Sequence, residues 1–270
     1  MTLEHTLNDT SWPRTTYDFG SLSIVATTPT EAAHKICQLS QDTETTCKHV
    51  HLVNAYTLAL ADKDSGYAEN LAEGSIIFPD GKPLSIVSKL LHHSPPLQQI
   101  RGPQLFLDVF DYGRRTGLRH FLLGSSPEVL HALQLSLNAK YPGCEIVGSE
   151  SPPFRALSSE EVAAQDERVR QARPDIVWIG LGTPKQDREA RRLTEATGIM
   201  TVAVGAAFDF AAGRVPEAPT WMRMLCLEWL FRLVTEPRRL WRRYLFGNSR
   251  FLGIAFRSMV NPKLSKNGKK

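Results

Sequence analysis

Residues 175–186 read Asp175-Ile176-Val177-Trp178-Ile179-Gly180-Leu181-Gly182-Thr183-Pro184-Lys185-Gln186, and they decide the fold. A short run of β-branched and aromatic residues meets two glycines and a proline. The pattern of Asp187 to Thr197 then turns helical. Strand, glycine turn and helix in that order predict one βα unit. The same order recurs along the chain. His49–Val53, Ser75–Phe78, Arg119–Leu123, Glu145–Val147 and Met200–Val204 read as further strands. Helical stretches separate them, among them Phe106–Arg115, Glu128–Lys140 and Ser158–Gln171, the last with acids in its first turn behind a serine cap. Repeated at this spacing, the pattern predicts an α/β fold, a Rossmann-like parallel sheet flanked by helices. Ligands of such sheets bind at the carboxyl ends of the strands. Four loops are expected there: Asn54 onward, Pro79–Gly81, Gly124–Ser126 and Gly180–Gln186.

Charge divides the chain. Residues 219–270 hold twelve of the thirty-two Lys and Arg and two acids, Glu228 and Glu236, about +10 in all. Residues 1–218 carry 20 basic and 26 acidic residues, a net −6. A basic end rich in Trp and Leu points to an anionic surface. The organisation read along the chain is an N-terminal extension over 1–20, flexible, an α/β domain over 21–218, a helical appendage over 219–260, and a flexible tail over 261–270. Cys37, Cys47, Cys144 and Cys226 are scattered, which fits reduced thiols in a cytoplasmic protein. The first twenty residues lack the pattern of a secretory signal, and no apolar run is long enough to span a bilayer.

Three turns could carry chemistry. In Gly180–Gln186 two glycines admit a close ligand, and the following helix start offers amides to phosphate. The loop is not a Walker loop, and it lacks the third glycine and ribose acid of a dinucleotide site. A plain strand-to-helix turn is the alternative. Asp80, in Pro79-Asp80-Gly81, stands where a general base or a sugar-hydroxyl acceptor would sit, or it serves the turn. Asn54 can hold a ligand or cap the helix that starts at Ala55. Asp209, between Phe208 and Phe210, is either a structural acid paired with Arg214 or a site group. His51 and His120 read as strand residues, and the histidines show no metal-ligand spacing.

In the tail, Thr220–Val234 is apolar almost all round and must lie against the body, a partner, a second copy or lipid. After Pro237, Arg238, Arg239, Arg242 and Arg243 form a basic face. Leu240, Trp241, Tyr244 and Leu245 form the opposing apolar one. That is the pattern of a basic amphipathic helix lying in a membrane surface. A basic helix packed on the body and a nucleic-acid arm are the alternatives.

Taken in order, these segments resemble the WecG/TagA/CpsF family of bacterial glycosyltransferases, glycosyltransferase family 26. The resemblance runs from about Leu22 to Leu252. It rests on Asn54, Pro79-Asp80-Gly81, Arg101-Gly102 with Leu105, Gly124, and Gly180, Gly182, Pro184, Lys185 and Gln186. It continues through Gly205, Phe208-Asp209-Phe210, Gly213-Arg214 and Ala218-Pro219, and in the tail through Glu228-Trp229, Arg232-Leu233, Glu236-Pro237, Arg239 and Arg242-Arg243-Tyr244. The resemblance implies inverting, metal-independent transfer from a UDP-sugar to a polyprenyl-diphosphate-linked saccharide at the inner face of the membrane, with no cofactor. It makes Asp80 the general base. Asn54, Gly81, Gly102, Gly124, Gly180, Gly182, Pro184, Lys185, Gln186 and Asp209 become donor-binding residues. Arg232, Arg239, Arg242 and Arg243 would meet the acceptor diphosphate and the lipid headgroups. Leu52 and Lys82 depart from the family's usual residues and leave the donor among glucose, N-acetylmannosamine and its uronic acid. Other readings are a nucleic-acid-binding protein, a nucleotide-dependent oxidoreductase and an inactive family member acting as a scaffold.

Overall fold

Six strands make the central sheet of the computed structural model. They are β3 (His49–Val53), β4 (Ser75–Pro79), β5 (Arg119–Gly124), β6 (Glu145–Glu150), β7 (Ile176–Gly180) and β8 (Met200–Ala203). Their order is β4-β3-β8-β7-β5-β6, and every neighbouring pair is parallel. The structure describes residues 12–13, 15–42, 49–219, 221–222, 225 and 227–260, without the side chains of 239 and 243–245. The N-terminal eleven residues, the segment 261–270, Cys47 and Cys226 lie outside that description.

The strands read as continuous apolar runs because both faces of the sheet are covered. Along β7, Ile176 and Trp178 enter one core, while Val177 and Ile179 enter another. The first face packs against α1 (Pro29–Gln41), α5 (Gly102–Gly113), α6 (Pro127–Lys140) and α9 (Ala207–Ala211). The second face packs against α7 (Ser159–Ala172) and α8 (Lys185–Thr197) beside β5, β7 and β8. Beside β3 and β4 it meets α2 (Ala55–Lys63), α3 (Ser65–Ala72) and α4 (Lys82–Leu90).

Two regions depart from expectation. Residues 16–25 form an antiparallel hairpin, β1 (Thr16–Phe19) with β2 (Leu22–Val25), turning at Gly20 with φ +63°. Phe19, Leu22 and Ile24 are buried in the second-face core, so the boundary placed at residue 21 falls inside a folded element. In the tail, the apolar run of residues 220–234 is broken. Leu225 lies in a turn and α10 starts only at Glu228, ending at Thr235. No residue of α10 is buried, and Trp229 and Val234 are exposed.

The last helix, α11 (Pro237–Val260), divides its faces differently from the sequence reading. Leu240 is buried and Trp241 exposed, so these two do not share a face. Phe251, Ile254 and Ala255 belong to the core shared with α2 and the hairpin. Gly247 lets α11 come close to α2, since a Cβ there would stand 3.1 Å from Tyr56 Cδ2 and 3.2 Å from its Cα. Arg250 Nε lies 2.6 Å and Arg257 Nη2 2.5 Å from the Asp62 carboxylate at the end of α2. These exposed pairs contribute about 0–1 kcal/mol each, so apolar packing is what holds the helix down. No helix among the described residues is long and apolar enough to cross a membrane.

Two strand histidines are held neutral. His120 Nδ1 accepts the Trp178 Nε1–H at 3.0 Å, and its ring stacks on Phe110 at 3.8 Å. Burial lowers its pKa from 6.5 to about 3, and burial with His51 nearby lowers that of His49 to about 4. In both cases the unfolded chain binds more protons below pH 6.5, so protonation favours unfolding. Stability should be fully present above about pH 6.5 and fall as pH drops toward 4 and then 3. Thermal denaturation across that range should show a falling Tm, and a His120→Gln variant should show a shallower fall.

Candidate active site

A cavity of about 500 Å³ opens at the carboxyl ends of β4, β3, β8 and β7. The loop after β8, Val204–Ala206, lines it, whereas the expected loop Gly124–Ser126 does not. The strand order explains this, because β5 lies beyond β7, away from β3 and β4.

Asp80 stands in the cavity wall directly after β4. Its backbone N–H donates to Val53 O at 2.9 Å, extending the parallel ladder, and its carbonyl accepts Gln99 Nε2–H at 2.7 Å. Its carboxylate Oδ1 accepts the Gly102 N–H at 3.0 Å. That amide belongs to the first turn of α5, whose N–H groups have no partner within the helix and whose dipole favours an anion. A Cβ on Gly102 would stand 3.0 Å from Leu52 Cδ1 and 3.2 Å from Val204 O, so glycine permits the approach. Burial raises the Asp80 pKa; the Gly102 amide lowers it, Glu228 raises it, and Arg101 and the Asn54 side chain lower it, leaving it above its ordinary value.

Asn54 caps α2 and also lines the cavity. Its Oδ1 accepts Tyr56 N–H at 3.1 Å and Thr57 N–H at 3.2 Å, capping α2. The same side chain hydrogen-bonds Asp80 and lines the cavity. Gly81 lines it as well, at the start of α4.

The loop after β7 turns at Gly182, with φ +77°, and passes through a cis Thr183–Pro184 peptide. Gln186 is buried at the start of α8. Its Oε1 accepts Gly182 N–H at 3.0 Å, while its own N–H donates to Gly182 O at 2.9 Å. This leaves the amide group of Gln186 beside Gly205 on the cavity floor. Beneath it lies a buried polar chain that sequence reading missed. His49 Nδ1 bonds His51 Nε2 at 2.9 Å, His51 Nδ1 bonds Asp187 Oδ1 at 3.1 Å, and Tyr67 O–H donates to Asp187 Oδ2 at 2.7 Å. The chain ties β3 and α3 to the first turn of α8, and so fixes Gln186. A buried network of this kind has to be fully satisfied to be tolerated. The sequence held one signal, two histidines in a strand whose neighbours are all apolar.

Other expected residues stand elsewhere. Gly124 packs under Gly180, where a Cβ would meet Gly180 O at 2.6 Å; its φ of +122° also demands glycine. Gly180 accommodates the Phe208 ring, 2.8 Å from where its Cβ would be. Pro184 and the exposed Lys185 line a shallow depression with Arg188 on the outer side of the loop. Asp209 meets Arg214 through the backbone, its carbonyl accepting that N–H at 2.9 Å, and its neighbour Phe210 lines the cavity instead.

The tail supplies the remaining wall. Glu228, Trp229 and Arg232 of α10 line the cavity, with Asn248, Phe251 and Leu252 of α11. Arg232 lies over the Phe210 ring at 5.6 Å and reaches Glu236 at 3.5 Å. Its buried Nε has no hydrogen-bond partner among the described residues. Arg242 is exposed, over the Trp241 ring at 5.1 Å, and does not line the cavity. The side chains of Arg239 and Arg243 lie outside the described residues. Lys82 and Arg101 bring two more cations to the wall. No cluster of metal-ligating side chains stands among the described residues.

Residues 17–265 match the glycosyl transferase WecG/TagA/CpsF family. The chain belongs to that family. It is 29% identical over 200 residues to an N-acetylglucosaminyldiphosphoundecaprenol N-acetyl-beta-D-mannosaminyltransferase of Bacillus subtilis strain 168, covering 73% of this chain and 74% of that one. It is 32% identical over 183 residues to a protein of the same name from Bacillus spizizenii strain W23, covering 66% of this chain and 67% of that one. Family membership makes the protein a glycosyltransferase and the cavity its candidate active site. The two duties of Asn54 separate by substitution. Asn54→Ala should lose about 1 kcal/mol of stability with the cap. Asn54→Asp should keep the cap, so that its loss of activity far exceeds any loss of stability, because it sets a second carboxylate against Asp80. Denaturation and turnover measured side by side check this.

Proposed function

We propose that this protein transfers a sugar from a UDP-sugar to a saccharide carried on a polyprenyl diphosphate, with inversion and without a bound metal. The names of its relatives specify a diphosphoundecaprenol-linked acceptor, which supports the acceptor class. The observation that carries the reading is Asp80, a carboxylate of raised pKa in a cavity that also holds Lys82, Arg101 and Arg232. Asp80 takes the proton of the acceptor hydroxyl as that oxygen attacks the anomeric carbon of the donor. The bond to the UDP oxygen breaks and its electron pair leaves with UDP. One base with in-line displacement gives inversion. Cations in a water-poor site stabilise the charge that develops on the leaving diphosphate. Asn54, Gln186 and the glycines at the cavity are assigned to the donor. Arg232 is assigned to the diphosphate, with Arg239, Arg242 and Arg243 toward lipid headgroups.

The protein works, on this reading, at the cytoplasmic leaflet of the membrane. Trp221, Leu225, Trp229, Val234, Trp241, Leu252 and Phe256 give α10, α11 and the chain before them an exposed apolar surface among basic residues. A nucleic-acid arm needs exposed cations but no such apolar area, whereas here the exposed Arg238 and Arg242 stand beside the exposed Trp241.

Asp80→Asn should fold normally and lose about 10²- to 10⁴-fold in turnover. Undiminished turnover rules the assignment out. The surface needs a gentler test than deletion of residues 219–260, because that would strip Phe251 and Ile254 from the core. Replacing Trp241, Leu252 and Phe256 together by Ser should reduce co-sedimentation with anionic vesicles and leave the Tm nearly unchanged. Unaltered vesicle binding counts against a membrane role for this face.

A further inference from the structure

One ion pair in the cavity wall joins the turn that holds Asp80 to the helix that closes the cavity. Arg101 precedes α5, and the next residue, Gly102, donates to Asp80 Oδ1 at 3.0 Å. Arg101 Nη2 lies 3.0 Å from Glu228 Oε1 and 3.3 Å from Glu217 Oε2. The Arg101 side chain is 16% exposed, against 28% for Glu228 and 39% for Glu217. Glu228 opens α10 one turn before Arg232, and both line the cavity with Asp80.

Two carboxylates therefore share one guanidinium. The pair leaves net negative charge beside Asp80, and Glu228 is the partner that lines the cavity. The other groups around Asp80 are the Gly102 amide and the Asn54 side chain, both bonded to it, and Gln99 on its carbonyl. Lys82 and Arg232 share the wall, with Arg232 held by Glu236. Glu228 and Arg101 act on the carboxylate in opposite directions, Glu228 favouring its protonated form and Arg101 its anion.

We infer that Glu228 is a positioning residue of the transfer: it anchors the Arg101–Gly102 turn against Asp80 and sets a negative charge beside that carboxylate, so that Asp80 retains the proton taken from the acceptor. The inference rests on the reading of Asp80 as the base. Its chemical content is that an appendage residue which touches no reacting atom governs the basicity of a residue in the body.

The test titrates the Asp80 side-chain carboxyl by ¹³C NMR in the full chain, in wild type and in Glu228→Gln and Arg101→Gln variants. Glu228→Gln keeps the shape and removes the charge, so the Asp80 midpoint should fall by about half a unit or more. Arg101→Gln leaves two carboxylates uncompensated, so the midpoint should rise. Opposite movements are the mark of through-space charge, which a merely structural role does not produce. Midpoints that stay put, or that move in the same direction, overturn the inference. Should Glu228→Gln fail to fold, Glu228→Ala takes its place, with the same fall expected and an unmoved or risen midpoint sinking the inference. The acid limb of kcat/KM should follow the NMR midpoints. If Asp80→Asn keeps full turnover, the base and the positioning role fall together. If Asp80→Asn is inactive while the midpoints stay put, only the role of Glu228 falls.

Discussion

The hydrogen bond from the Gly102 amide to Asp80 sets the geometry on which the rest of the site depends. It needs three things at once. β4 must end at Pro79 so that Asp80 leaves the ladder at the cavity. α5 must present an amide that has no partner within the helix. Residue 102 is best left without a side chain, because a Cβ there would crowd Leu52 Cδ1 at 3.0 Å and Val204 O at 3.2 Å. The bond stabilises the anion that burial destabilises. A buried carboxylate without such a donor would simply stay protonated and could not serve as a base. The amide keeps Asp80 ionisable, and the surroundings keep it basic.

Much of this was legible in the sequence. The five strands inward of β6 read out of their apolar runs, because a parallel sheet covered on both faces needs no polar alternation, whereas the partly exposed edge strand β6 was legible only over Glu145–Val147. Asn54, Asp80 and Gln186, expected at the site from the loops that follow strands, all line the cavity. Gly124 follows a strand too, yet it belongs to packing. The difference lies in strand order, which a single sequence does not reveal: β8 comes between β3 and β7, and β5 lies outside them. A glycine required by a φ of +122° looks the same in sequence as one required by a ligand.

The tail shows another limit of pattern reading. Residues 237–260 carry apolar side chains on two sides, so the sequence allowed either body packing or a membrane face. The helix has both. Gly247, Phe251, Ile254 and Ala255 form the packed side, at spacings of four, three and one, while Trp241, Leu252 and Phe256 face outward. What settled the choice was Gly247, whose meaning depends on Tyr56 nearly two hundred residues earlier. The hairpin of residues 16–25 escaped notice for a simpler reason. Two four-residue strands around Gly20 are short beside the polar stretch that precedes them, yet Phe19, Leu22 and Ile24 are completely buried.

The packed side of α11 gives its outward side a fixed position. A helix bound only by surface ion pairs would contribute little and could lie at many angles. A helix that places Phe251 and Ile254 in the core cannot. Leu252 then both lines the cavity and is two-thirds exposed, and Phe256 continues the outward face one turn further on. The apolar surface therefore begins at the rim of the cavity that holds Asp80. Under the proposed function this continuity solves a problem of substrate geometry. An acceptor with a long apolar chain must keep that chain out of water while its saccharide reaches the base. A cavity whose rim is itself apolar lets both ends be satisfied in one bound state, without lifting the chain across a polar surface. Arg232 of α10 lines the same cavity, a cation available to the diphosphate that joins the chain to the saccharide.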